Sequence, residues 1–457
     1  MRRVLLIVAI LLVPAIPLFL VLSGVLKKAP TTVPPIHLTV WGTQDPATAF
    51  TRIIAKYRQT RSYITVDYTQ VRPQDYFQQL VQAWAQGTGP DIYFVPNAWI
   101  GQMAQYSVAE PASLAVPQVI TSKGILGTST KVVSNPKPAA SIGSLQNTFV
   151  DTVTSDIVQN GQVWALPLSM DTLVTYYNKD LLNNAKVFEP AQTWSDLQNQ
   201  VVTNHLTVTD QNNQLVQSGV ALGTATNLPH ATDLLTLLMM QNGATMVSSD
   251  GHVQFQDAAG LTALNFYLSF AQARKVNFSW DANQPNALDA FLHGKVAYYF
   301  GSLIDRTQIA ASGLNWGAAP MLHIRATGDN DVASNSERFI DISDYQVAMV
   351  AKASQLGGRD RYAWNLLDYL SQAGNVTAYL QATNGLSAIK SILAQQKNDA
   401  NLGVYASQLL TARSWYHGAG GQSVDGYLQA LITNGLAAQS DPQTLLNLAA
   451  QQIESTL

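Results

Sequence analysis

Cysteine is absent from this 457-residue chain. Its absence excludes disulfides, thiolate metal sites, a cysteine nucleophile and lipid attachment through an N-terminal cysteine. Charge is scarce as well, at 12% against 47% hydrophobic residues. Such a chain folds, with Gln, Asn, Ser and Thr covering much of its surface. The formal net charge is −3, and four of the 26 bases (Arg2, Arg3, Lys27 and Lys28) flank one N-terminal apolar run, leaving 22 bases against 29 acids. An acidic body without a basic patch argues against nucleic acid as a partner. The seven histidines, at 37, 205, 230, 252, 293, 323 and 417, form no i, i+4 pair and have no acids in zinc spacing, so no metal site is expected. The G-x-S-x-G elbow, the phosphate-binding loop and the dinucleotide fingerprint are all missing, and no cofactor is expected.

What is present begins with Val4–Leu26, an apolar run bracketed by Arg2-Arg3 and Lys27-Lys28. A signal core is about 7–15 residues and a spanning helix about 20, so the length favours an uncleaved anchor. Pro14, Pro17 and Ser23-Gly24 keep a cleaved signal open. Residues 1–28 are therefore anchor or signal, with the large body outside, and residues 29–35, with Pro30, Pro34 and Pro35, are a stiff linker. The remaining length calls for two domains.

From Ile36 the chain alternates strand and helix. His37–Trp41 reads as a strand, and Phe50, Ile53, Ile54 and Tyr57 line one face of a helix. Ile64, Val66 and Tyr68 alternate on a second strand; Tyr76, Leu80 and Trp84 recur on a second helix; Asp91–Val95 is a third strand. This pattern makes an α/β fold whose parallel sheet collects ligands at the carboxyl ends of its strands, at Trp41–Asp45 and Val95–Trp99. Pro111 to about Thr148 reads as an irregular surface excursion. Gly161–Leu182, GQVWALPLSMDTLVTYYNKDLL, follows an Asn160-Gly161 turn and reads as a crossover to a second α/β unit. There Thr193 and Asp257 are placed to cap helices, and ALDAFLHGKVAYYFGS gives helix, glycine stop and strand.

LTVWGTQD, AQGTGPDIYFV, YYNKDLL, the F..GK.A turn and NGLSAIKS, in that order, resemble bacterial extracellular solute-binding proteins of the sugar-binding class, the maltose-binding-protein-like family. The resemblance covers about Ile36 to Leu457. It implies a periplasmic-binding-protein-like fold of two α/β lobes around a cleft, with crossings near Leu166–Asp171, Asp341–Tyr345 and Asn384–Lys390. Lobe I would be 36–167 plus 345–390, and lobe II 168–344 plus 391–457. It also implies a monomer that does no covalent chemistry, captures a sugar or related polar solute, and hands it to the permease subunits of an ABC-type importer.

Candidate ligand contacts follow from both readings. Trp41, Trp99 and Trp415 (with its neighbour Tyr416) stand at strand ends or in loops, where a flat ring can stack on a sugar; each could equally be packing. Gln44 and Asp45 match positions where the family supplies hydroxyl contacts, against a helix-capping role for Asp45 before Pro46. Asn97 ends the third strand. Asp171 and Asp344 stand beside crossovers, to serve ligand or hinge. Asn227 and His230 lie in a second-lobe loop, against ordinary loop capping, and Gly301-Ser302 could offer amides and a hydroxyl. Asp91 is expected to be structural. No Arg or Lys is evident in these loops, which disfavours an anionic solute. Two rivals remain at this point: a tethered sensor or adhesion protein of the same fold, and a glycan hydrolase using two carboxylates of the cleft.

Overall fold

A computed structural model describes residues 33–124, 127–212, 214–324 and 339–457. The N-terminal apolar run and the first part of the linker lie outside the described residues. Strand Ile36–Gly42 pairs in parallel with Ile64–Gln70 along its whole length, from Ile36 opposite Ile64 to Gly42 opposite Gln70. The intervening helix Thr48–Arg58 buries Ala49, Phe50, Ile53 and Tyr57, the face its apolar spacing dictates. Ile92–Pro96 adds a third parallel strand beside the first. Asp91, at its entrance, accepts hydrogen bonds from the Thr39 amide (3.0 Å) and Arg359 Nε (2.8 Å). This is the structural role expected of it.

Two antiparallel strands complete this sheet, in the order Ala165–Pro167, Gln346–Val350, Ile92–Pro96, Ile36–Gly42, Ile64–Gln70. A second five-stranded sheet runs Val208–Thr209, Leu215–Val220, Val296–Gly301, Val174–Asn178, Trp316–Ala319. Its helices begin as their caps dictate: Thr193 and Asp196 form a reciprocal capping box, and Asp257 accepts from the Gly260 amide at 2.8 Å. Between the two sheets lies a three-stranded one, Asp171–Thr172, Asp341–Asp344 and Ala412–Arg413. The chain passes through it three times. Asn160 and Gly161 both take positive φ, 52° and 73°, closing the tight hairpin of Val158–Gln159 and Gln162–Val163.

The expectation of an irregular segment from Pro111 to Thr148 is corrected. Gln118–Gly124 and Gly127–Val133 form an antiparallel ribbon, Ser113–Leu114 pairs with Lys137–Pro138, and Ile142–Thr148 is helical. The ribbon escapes notice in the sequence because exposed residues occur on both faces, so no apolar residue recurs at every second position. Among the described residues no helix is long and apolar enough to cross a membrane.

Candidate functional site

The first two passes between the sheets line a cavity of about 700 Å³, within the usual range for a small-molecule site. Gln44, Asp45 and Pro46 reach it from the loop after the first strand. Ser169, Met170 and Asp171 come from the first crossing, Asp344 and Gln346 from the second, and Thr383, Asn384 and Gly385 from the end of helix Ala373–Thr383. His230, Ser302–Ile304, Arg306, Thr307, Asp399 and Asn401 close the other side.

Six of the candidate residues therefore meet here: Gln44, Asp45, Asp171, His230, Ser302 and Asp344. Asp45 is no helix cap. Its Oδ2 accepts from the Tyr379 hydroxyl at 2.8 Å, and helix Thr48–Arg58 starts after Ala47 without a side-chain cap. Burial raises its pKa, and the Tyr379 bond partly restrains that rise. Asp171 and Asp344 are direct partners across antiparallel strands. Asp171 Oδ1 accepts from the Thr172 amide (2.8 Å) and the Leu303 amide (3.1 Å), yet burial pushes its carboxyl up to about 7. Burial, reinforced by Asp233, pushes Asp344 up to about 6, while His230 opposes the rise. Burial would lower His230, but the Asp233 carboxylate, 3.2 Å from its Nδ1, outweighs it and lifts the imidazole to about 9.

Seven candidates do not line the cavity. Asn97 is spent on a buried carboxylate, donating to Asp156 Oδ2 at 3.0 Å. Asn227 holds its own loop: its amide donates to the carbonyls of Asp281 and Gln284, and its Oδ1 accepts from Trp280 Nε1 at 3.1 Å. Gly301 ends a fully buried strand, where a Cβ would collide with Asp305 and Tyr299. The Tyr416 hydroxyl is bound to Thr456 and to the Gly420 amide. Trp41, Trp99 and Trp415 pack against the hydrophobic core, with Trp99 edge-on to Phe77 and Trp415 edge-on to Phe255. No tryptophan is among the lining residues; the rings there are Tyr345 and Tyr379.

Arg306, Tyr379, Asn384, Asp399 and Asn401 line the cavity without having been singled out in the sequence. Arg306 corrects the view that no cation faces the cleft: it donates to Asn401 Oδ1 at 2.5 Å and lies over the Trp316 ring. A signal for it exists, since Ser302-Leu303-Ile304-Asp305 has the spacing of a capping box, which starts the turn Leu303–Asp305 that runs on into helix Arg306–Ala311. Asp305 Oδ2 indeed accepts from the Ser302 amide at 3.2 Å. Tyr379 lies one helical turn before Asn384, whose φ of 55° ends the helix.

A family model described as bacterial extracellular solute-binding protein matches residues 41–377. Relatives in Brucella abortus and Brucella suis, described as binding proteins, are 24% identical over 134 residues, 29% of this chain and 26% of theirs. This match spans about a quarter of their length. Among solved structures, a cyclic α-maltosyl-1,6-maltose binding protein from Arthrobacter globiformis has a TM-score of 0.69 at 19% identity, covering 92% of this chain and 98% of that one. A cyclo/maltodextrin-binding protein in complex with maltotetraose gives 0.68 at 17%, covering 93% and 97%. An ABC transporter solute-binding protein from Thermotoga lettingae, bound with α-D-tagatose, gives 0.65 at 18%, covering 92% and 99%. These structures share the two-lobed periplasmic-binding-protein-like fold. With most of its length matched by the family model, the chain belongs to the bacterial extracellular solute-binding protein family.

Proposed function

We propose that the protein captures a carbohydrate or related polar solute between two lobes, 36–167 plus 345–390 and 168–344 plus 391–457, and delivers it to the permease of an ABC-type importer. The observation that carries this reading is the cavity itself, lined from both five-stranded sheets and from the crossings between them. A solute that touches both lobes favours the closed form by the contacts it makes only there. The lining suits hydroxyl-rich ligands: carboxylates and amides accept, while Arg306 donates. Several of the similar structures hold sugars, which agrees with that chemistry. The protein acts as a monomer without covalent turnover. Val4–Leu26 tethers it to the membrane, with the body on the extracytoplasmic side.

A thermal-shift screen against mono- and oligosaccharides, polyols and amino acids tests the reading. Ligand at 100 times its dissociation constant stabilises the fold by about 2.7 kcal/mol. A sugar should raise the melting temperature and lose that effect in Asp45→Ala or Arg306→Ala. A response confined to amino acids, or to nothing in the panel, overturns the carbohydrate reading, and consumption of the ligand replaces binding by hydrolysis.

A further inference from the structure

Like charges placed directly opposite on neighbouring strands destabilise the pair. Asp171 and Asp344 are so placed, and both face the cavity. The other charged groups of the lining are already engaged. His230 pairs with Asp233, Arg306 with Asn401, and Asp45 with Tyr379; Asp399 Oδ1 accepts from the amides of Asn401 and Leu402. Asp233, Asp305 and Asp425 stand behind them and add negative field, since Asp233 raises Asp344 and both Asp344 and Asp305 raise His230. Asp344 differs from all of these. Its carboxylate accepts no hydrogen bond among the described residues.

A second acceptor stands beside it. Gln346 also lines the cavity, and its Oε1 is buried without a hydrogen-bond partner among the described residues. Asp344 ends one strand and Gln346 begins the next; Tyr345 between them also lines the cavity, while its hydroxyl donates to Asp156 at 2.6 Å. Three acceptors, two of them acidic, thus line the cavity as strand partners or near neighbours in the chain. A plain hydroxyl brings one donor and leaves the repulsion in place. An ammonium brings three donors and a positive charge.

We propose that the captured solute is an amino-substituted sugar whose protonated amine is received by Asp171, Asp344 and Gln346. The proposal rests on the carbohydrate reading above and narrows it. The raised carboxyls add a consequence: part of the pair is protonated near neutral pH, so an incoming cation displaces protons.

Calorimetry on the purified full chain tests this with matched neutral, amino and N-acetylated forms of glucose, galactose and their disaccharides, at pH 7 in phosphate and in Tris. The amino form should bind roughly 10- to 100-fold more tightly than its neutral counterpart, the range of a charge-assisted hydrogen bond. The two buffers should also reveal proton release. Asp344→Asn, checked for a cooperative melt, should shrink that gap and reduce the release, since Asp171 keeps its own raised carboxyl. Equal or tighter binding of the neutral or N-acetylated form overturns the amine while leaving sugar capture standing. Binding of the amino form with an undiminished gap in Asp344→Asn overturns the assignment to this pair. No binding by any form overturns both readings.

Discussion

Asp171 and Asp344 face each other across paired strands, and the consequence is a stability that depends on pH. A carboxyl whose pKa is higher in the folded than in the unfolded state holds more protons when folded, so stability falls as pH rises through the interval between the two values. An unfolded Asp titrates near 3.9. Burial pushes Asp171 to about 7 and Asp341 to about 6. His230 acts in the same direction, because an imidazole lifted to about 9 loses its contribution as pH rises through that value. The unliganded protein should therefore melt at a higher temperature near pH 5.5 than near pH 8, which differential scanning calorimetry reads directly. Asp344→Asn should stabilise the unliganded protein at pH 8 by up to about 1 kcal/mol and flatten the pH profile; a lower melting temperature there would count against the repulsion. The sequence brings Gln44, Asp45, Asp171 and Asp344 to this place because strand ends and crossovers are readable from alternation and turn residues. It does not separate Trp41 or Asn97 from them. Whether a ring stacks on ligand or on core, and whether an amide meets a hydroxyl or Asp156, is decided by neighbours far away in the chain.

Elements legible in the sequence share one property: each has a buried face with a clear period. Helix Thr48–Arg58 and strand Ile64–Gln70 have that face, and their residues fall where the pattern puts them. The ribbon Gln118–Val133 lacks one. The Val119 amide joins it to the body by donating to the Thr60 carbonyl at 2.7 Å. Replacing residues 120–131 by a short glycine-serine turn should leave ligand affinity within about twofold in calorimetry, because none of the described residues among them lines the cavity; an affinity loss beyond tenfold would give the ribbon a role in capture. The turn after the third strand behaves differently. A Cβ on Gly101 would collide with the carbonyls of His417 and Gly418, and one on Gly421 with the carbonyl of Ala98. Backbone therefore meets backbone at this junction. Gly101→Ala should destabilise by about 1–3 kcal/mol, the cost of overpacking a tight contact, as read by urea unfolding.

At the scale of the molecule the three crossings must form one hinge that bends without coming apart. The three-stranded sheet supplies backbone pairing there, and Asp156 supplies a side-chain hub. Its carboxylate accepts from Asn97 (3.0 Å), Tyr345 (2.6 Å) and Ser414, with His417 Nδ1 at 3.7 Å. These partners follow the central strand of the first sheet, the second crossing and the final pass of the chain, three segments far apart in the sequence. Burial raises the Asp156 pKa against the pull of His417 and of its hydrogen bonds. Asp156→Ala removes the acceptor and leaves the buried Asn97 and Tyr345 donors unpaired, at about 1–3 kcal/mol each. Asp156 does not line the cavity, so a local effect on ligand contacts is not expected. If the hub holds the crossings in register, the variant should unfold at lower urea and bind ligand more weakly, with small-angle scattering showing a smaller ligand-induced decrease in radius of gyration than in the parent. Weaker folding with an unaltered ligand-induced compaction would confine Asp156 to stability and leave the hinge to the three-stranded sheet alone.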